Sequence, residues 1–270
     1  MNQETAYMKN IFIEGIQGSG KSTLLNCIST AIPELRTCRE GDYSPVDLAW
    51  CAWMTKEEYE NVISRYKTLE NEIRRNTAEE HGHFIVSYTK IITDVPGFHK
   101  DLEKYEIYNG RKALHELKEI IFARYKAFQE TGYLFECSFF QNITEDLILF
   151  HQLSDDEIVE FYRDLYSIIN KEHFLLLYLY SEKPDKNVEI IKKERSDDSG
   201  NELWYPLMLE YLIHSPYGES HGYNSFEDMI AHFQHRQTLE LRIIKEVVGD
   251  KAYIIPSKGW NADSVLPITQ

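Results

Sequence analysis

Gly15-Ile16-Gln17-Gly18-Ser19-Gly20-Lys21-Ser22 carries the spacing G-x-x-x-x-G-K-S and follows directly on an apolar run, Ile11-Phe12-Ile13. The residues after it, Thr23-Leu24-Leu25-Asn26-Cys27-Ile28, have the pattern of an amphipathic helix. Strand, glycine loop and helix in that order are the context a phosphate-binding loop requires. Glycines let the backbone curl so that successive N–H groups converge on a polyphosphate. The helix N-terminus adds partial positive charge at the same place. In this reading Gly15, Gln17, Gly18, Ser19, Gly20, Lys21, Ser22 and Thr23 bind ATP. Lys21 reaches the β- and γ-phosphates, and the Ser22 hydroxyl ligates Mg²⁺. The competing reading is a flexible Gly/Ser turn with a solvated lysine.

The chain has 270 residues, 43% of them hydrophobic, enough for one large α/β domain or two small ones. No run approaches the roughly 18 apolar residues of a membrane span. Residues 1–9 are mostly polar, lack an apolar signal segment and read as a tail before the first strand. A net charge of -15 repels duplex nucleic acid and anionic membranes, so neither is an expected partner. A nucleotide can still bind, because its site is built locally from amides, a few cations and a metal. Cys27, Cys38, Cys51 and Cys137 include no C-x-x-C and read as reduced thiols of a cytoplasmic protein.

Strand and helix patterns alternate along the chain. Strands are expected at 10–15, 35–40, 133–137, 174–180 and 252–255, and His83–Ile92 is β-rich without a clear topology, broken by Pro96-Gly97. Helices are expected from the loop to about 31, throughout 46–80, and at 111–130, 143–152, 154–170, 184–194, 202–214 and 225–248. Thr55 with Glu58 and Ser154 with Glu157 have capping-box spacing. Phe174-Leu175-Leu176-Leu177-Tyr178-Leu179-Tyr180 is apolar on both faces, as a central parallel strand must be. The expectation is a three-layer α/β/α domain spanning 1–270, with a mainly parallel sheet, a helical insertion at 46–130 and a lid at 184–204.

Phe12-Ile13-Glu14-Gly15-Ile16-Gln17-Gly18-Ser19-Gly20-Lys21-Ser22-Thr23 resembles the start of thymidylate kinases and related nucleoside kinases. Arg39-Glu40-Gly41-Asp42 resembles the family's R-E-P-G substrate loop. Glu136-Cys137-Ser138-Phe139 stands where the family carries D-R-Y/F, and 176–195 resembles its strand, Pro-started helix and basic lid. The resemblance implies a P-loop NTPase fold and an ATP- and Mg²⁺-dependent kinase of a nucleoside or nucleotide; helix-mediated dimers fit it too. It also implies that adenine rests near Pro256-Ser257-Lys258-Gly259. Cys137 replaces the arginine of the D-R pair, Glu136 its aspartate, and Asp42 stands near an expected glycine, which puts thymidylate itself in doubt.

The remaining candidates follow from the chemistry. A carboxylate at the end of a strand beside the loop can orient Mg²⁺ or activate an acceptor hydroxyl, and Glu136 has that position; the alternative is a capping or salt-bridging acid. Glu14 precedes the loop and could approach the site or serve local hydrogen bonding. Lys192, Lys193 and Arg195 are lid cations for the transferring phosphate, with Arg195 favoured, or cations complementing a helix C-terminus. Arg39 and Arg111 are acceptor-side guanidiniums or surface salt bridges. Tyr43, Trp50, Trp53, Tyr105 and Tyr108 border an acceptor pocket or belong to the core. His232 and His235, three apart on a helix, lack a third metal ligand and read as structural. A rival function, a nucleotide switch, rests on Asp94-Val95-Pro96-Gly97, which has D-x-x-G spacing but no N-K-x-D partner.

Overall fold

A computed structural model describes residues 8–197 and 200–269. Residues 1–7 of the expected tail, and Asp198 and Ser199 of the expected lid, lie outside them. The strands in chain order are β1 (Asn10–Gly15), β2 (Arg36–Cys38), β3 (Ala52–Thr55), β4 (Thr77–Glu80), β5 (His83–Val86), β6 (Tyr133–Glu136), β7 (Phe174–Tyr180) and β8 (Ala252–Pro256). Contacts divide the chain into two compact units, Met1–Thr37 with Gln129–Gln270, and Cys38–Phe128.

The first unit is built on a five-stranded sheet in the order β2-β6-β1-β7-β8. β1 pairs parallel with β6 and with β7, and β7 pairs parallel with β8. Parallel neighbours need crossover connections, and the helices Lys21–Ala31, Gln141–Leu149, Asp155–Ile168 and Phe226–Ile243 lie in them. Every residue of β1 is buried, so both its faces are covered. On one face Ile11 and Ile13 pack with Leu24, Leu25 and Ile28 of the helix after the loop. On the other, Phe12 is stacked between Phe135 and Phe174, with centroids at 4.7 and 4.8 Å. The Ser154/Glu157 capping box forms as expected.

The second unit holds a three-stranded sheet, β3-β5-β4, antiparallel throughout. Met54, Tyr59, Val62, Ile63, Ile73, Val86, Phe98 and Leu102 make its core. The helix expected throughout 46–80 is corrected here. Residues 52–55 form β3, Lys56–Arg65 and Glu70–Arg75 are helices, and 77–80 form β4. Trp50, Trp53 and Met54 matched a helical spacing, but Ala52–Thr55 alternates between buried and more exposed positions, the period of a strand. The helix start at Thr55 was legible because its capping box with Glu58 is local chemistry. β4 and β5 meet at a two-residue turn, His81-Gly82, with φ of 49° and 79°. Two positive φ values in succession are the signature of a type I′ hairpin, for which glycine is suited at the second place. The helix expected over 111–130 is shorter, Leu114–Ala127.

Candidate functional site

β1 stands at the centre of its sheet, with β6 on one side and β7 on the other. Crevices at the carboxyl ends of such strands receive ligands in open α/β sheets. Gly15 ends β1, and the chain turns back into the Lys21–Ala31 helix through Gly20, which caps it with φ 95°. No side chain caps that helix, and its first turn carries no acid. Its first N–H groups therefore remain available to an anion. Gly18 has φ 73°, and a Cβ there would lie 2.6 Å from Ile191 Cδ1 and 2.9 Å from the Asn187 carbonyl oxygen. Only glycine lets the Pro184–Glu194 helix pack that closely on the loop.

The loop closes around a cation. The Lys21 ammonium donates to the Gly15 carbonyl at 2.9 Å and to the Ile16 carbonyl at 3.1 Å. The Ser19 N–H donates to the same Ile16 carbonyl at 3.2 Å. Ser19 Oγ is fully buried with no hydrogen-bond partner among the described residues. The turn after β8 borders the loop, with the Ser257 carbonyl oxygen 3.8 Å from where a Cβ on Gly20 would stand. Ser257 is fixed by its own N–H, which donates to the Tyr180 carbonyl at 2.7 Å.

Glu136 ends β6 opposite Ile13 of β1. Its Oε1 accepts from Ser22 Oγ at 2.5 Å. A hydroxyl and a carboxylate oxygen at the mouth of the loop are hard donors of the kind Mg²⁺ takes, so these two residues fit that ion. Cys137 follows with φ 60°, nearly fully buried, its N–H donating to the Ile13 carbonyl at 3.1 Å. The Asn142 amide donates to the Cys137 carbonyl at 3.0 Å.

Glu14, one residue before the loop, points the other way. It is fully buried, and its carboxylate accepts from the Phe139 N–H at 2.6 Å and the Gln141 N–H at 3.2 Å. Burial pushes its pKa up to about 8; the Phe139 N–H opposes this, while Glu240 adds to it. Glu14 thus ties β1 to the chain leaving β6, bonding across the sheet to residues 125 and 127 positions away rather than locally.

Below the loop lies a buried polar cluster that the sequence reading did not assemble. Glu145 sits on the Gln141–Leu149 helix. His232, Arg236 and Glu240 stand four residues apart along the Phe226–Ile243 helix, and all three are fully buried. Arg236 Nη1 donates to Glu145 Oε1, and His232 Nε2 lies 2.6 Å from Glu145 Oε2. Arg236 Nε forms an ion pair with Glu240 at 3.2 Å, off the angle of a hydrogen bond. Tyr178 of β7 donates to Glu240 at 2.6 Å. Burial alone would raise the Glu145 pKa, but Arg236 and His232 outweigh it and bring it down to about 2. Glu240 is pushed upward, chiefly by burial. His235, paired with His232 in the sequence, turns away to Asp155 at 2.8 Å. The missed signal was the four-residue spacing of charges inside the stripe that also carries Met229, Phe233 and Ile243, where a solvated face would not fall.

Two of the three lid cations, Arg195 and Lys192, are engaged with side chains of residues 202–205. Arg195 lies over the Trp204 ring, 5.9 Å from its centroid, at the base of a bridge between Ser196 and Glu202. Lys192 is 3.3 Å from Glu202 and 4.1 Å from the centroid of Tyr205. The two acceptor-side candidates lie in the second unit. Arg111 pairs with Glu103 at 2.9 Å, and the Arg39 N–H donates to Asp42 at 2.8 Å. Tyr108 donates to buried Asp47 at 2.6 Å, Tyr105 packs against the core, and exposed Trp50 donates to Glu40 at 3.0 Å. Tyr43 donates to Glu80 at 2.8 Å. Trp53 and His83 line a cleft of about 300 Å³ with Lys112 and three glutamates, Glu58, Glu116 and Glu119. Asp94-Val95-Pro96-Gly97 belongs to the second unit as well, with Val95 packed on its core and Gly97 opening the helix Phe98–Glu103.

No group of three or more His, Cys, Asp or Glu residues suited to a metal occurs among the described residues, and no described helix is long and apolar enough to cross a membrane. Neither the comparison with protein-family models nor that with curated proteins returned a match for this chain.

Proposed function

We propose that the chain is an ATP- and Mg²⁺-dependent phosphotransferase of the three-layer P-loop NTPase class, acting on a small acceptor such as a nucleoside or nucleotide. The observation that carries this reading is the Ser22–Glu136 hydrogen bond at the mouth of the Gly15–Ser22 loop. It joins an oxygen donor in the first turn of the Lys21–Ala31 helix to one at the end of β6, beside the helix terminus read as anion-receiving, the place where phosphoryl transfer needs its charge neutralised. Mg²⁺, when bound, supplies that neutralisation on the phosphate oxygens, with Ser22 and Glu136 as its protein donors.

The chain's own groups account for the rest. The first N–H groups of the Lys21–Ala31 helix receive the donor phosphates. Lys21 leaves the Gly15 and Ile16 carbonyls to reach the phosphates, exchanging two neutral acceptors for a charged one. An acceptor oxygen attacks the γ-phosphorus as the bond to the bridging β–γ oxygen breaks, releasing ADP; where the acceptor is a hydroxyl, its proton is released to solvent. Arg195 covers the transferring phosphate once it leaves Trp204. The test is ADP formation from ATP·Mg²⁺ across a panel of nucleosides, nucleotides and sugars. Acceptor-dependent turnover that Lys21→Ala abolishes is the expected result; ADP release indifferent to every acceptor would overturn the reading.

A further inference from the structure

Four ionisable groups buried side by side are costly, and an apolar replacement of the same shape is often no less stable. Stability therefore does not explain why Glu145, His232, Arg236 and Glu240 share one pocket. What sets the cluster apart is where two of its bonds lead. Glu145 Oε1 accepts from the Gln17 amide at 3.4 Å, and Arg236 Nη2 donates to the Gly15 carbonyl at 3.5 Å. Gln17 and Gly15 both belong to the loop. From the geometry we propose that Glu145 and Arg236 are positioning residues, holding the Gly15–Ser22 loop from beneath in its anion-receiving shape. The inference rests on the nucleotide-binding reading above.

The guanidinium is suited to this task. Its planar fork directs hydrogen bonds to two partners at once, Glu145 through Nη1 and the Gly15 carbonyl through Nη2, while Glu240 balances its charge as an ion pair beside Nε. A lysine ammonium has the charge but not the fork. The two bonds to the loop are long, so neither is strong alone; their effect is to fix two points of one short loop to two helices. The Gly15 carbonyl has a second consequence. In this structure it also accepts from Lys21. When Lys21 moves to a phosphate, Arg236 still satisfies that carbonyl, so the loop need not rearrange to compensate. His232 Nε2, 2.6 Å from the second carboxylate oxygen of Glu145, holds that oxygen and keeps the first one aimed at Arg236 and Gln17.

The experiment uses the full chain, with ATP·Mg²⁺ and inorganic triphosphate as probes in titration calorimetry. Amide hydrogen exchange is read at residues 16–20, and urea unfolding runs in parallel. Variants are Glu145→Gln, Gln17→Met, their double mutant and Arg236→Lys. Each single variant is expected to bind both probes about tenfold more weakly, and the double mutant about as weakly as the weaker single, because both cut one connection. Exchange at 16–20 rises while that of β7 stays as in the parent. Parent-like affinities, or losses that multiply in the double mutant, would overturn the inference. Should Glu145→Gln fail to fold, Gln17→Met leaves the buried cluster intact and decides alone: parent-like affinity and exchange would refute it. Should the parent bind neither probe, the proposed function falls, and exchange at 16–20 still decides this inference by the same criterion.

Discussion

Ser22 and Glu136 lie 114 residues apart in the chain, yet the serine hydroxyl donates to the glutamate carboxylate across 2.5 Å. The sheet brings them together: β1 and β6 are parallel neighbours in a register that sets Ile13 against Glu136. If this pair holds Mg²⁺ beside a bound nucleotide, removing either oxygen weakens the metal-dependent part of binding and spares the rest. Ser22→Ala and Glu136→Gln are each expected to lower turnover about a hundredfold. They should also raise the Mg²⁺ concentration needed for half-maximal ATP affinity. Metal-free ATP binding should change little. A metal titration of ATP affinity in the three proteins checks this, and an unchanged Mg²⁺ requirement would separate the pair from the metal.

The loop's fit against the Pro184–Glu194 helix makes a second prediction. An alanine at 18 must adopt φ 73° and place its Cβ 2.9 Å from the backbone oxygen of Asn187. At Gly20 the backbone is equally left-handed, with φ 95°, but the nearest atom, the Ser257 carbonyl oxygen, is 3.8 Å away. Gly20→Ala therefore meets only backbone strain, about 1 kcal/mol, whereas Gly18→Ala meets strain and overlap, about 2–4 kcal/mol. Urea unfolding of the two variants should show that order. The reverse order would mean that the helix yields easily at Gly18.

Much of this architecture was legible because its signals are local. The strand–loop–helix at 10–31 and the caps at Thr55 and Ser154 each depend on residues within a few positions. β7 was legible because its seven residues are apolar on both faces, as a central parallel strand requires. The second unit was legible only in part: the β-rich run from His83 marks β5, but β4, Thr-Ala-Glu-Glu, has little strand propensity and exists by pairing with it. The buried cluster was hidden for a different reason. Histidine, arginine and glutamate on a helix ordinarily face water, and only the arrival of Glu145 and Tyr178 from other elements makes their burial tolerable.

At Cys137 the kinase resemblance would put an arginine, and the surroundings of Cys137 predict what an arginine there would do. The position is about 1% exposed, with φ 60°. Cys137→Arg must bury a guanidinium where a thiol fitted, and is expected to cost at least about 3 kcal/mol. Cys137→Gly relieves the left-handed backbone while vacating the thiol, two opposed effects that should leave stability within about 1 kcal/mol of the parent. Thermal and urea unfolding of the two variants distinguish this from a site that tolerates the arginine by turning it outward.

Glu14 gives stability a pH dependence whose sign can be worked out. In the unfolded chain its carboxyl ionises near the ordinary value of 4.5, while burial in the folded protein pushes it up to about 8. Between those values the folded state holds a proton that the unfolded state has released. The contribution of Glu14 is therefore fully present below about pH 4.5, falls as pH rises, and is lost above about pH 8, amounting to a few kcal/mol. Asp47, up at about 6, and Glu106, at about 7, have the same sign, so the parent should lose stability over the whole interval. Glu14→Gln removes one of these contributions. Its amide oxygen can still accept from the Phe139 N–H, but its NH₂ then faces the Gln141 N–H, donor against donor. The variant should be less stable than the parent at pH 5 and decline less steeply toward pH 8, so that the two curves converge. Parallel curves across that range in urea unfolding would show that Glu14 is already ionised in the folded protein, held charged by its two backbone donors.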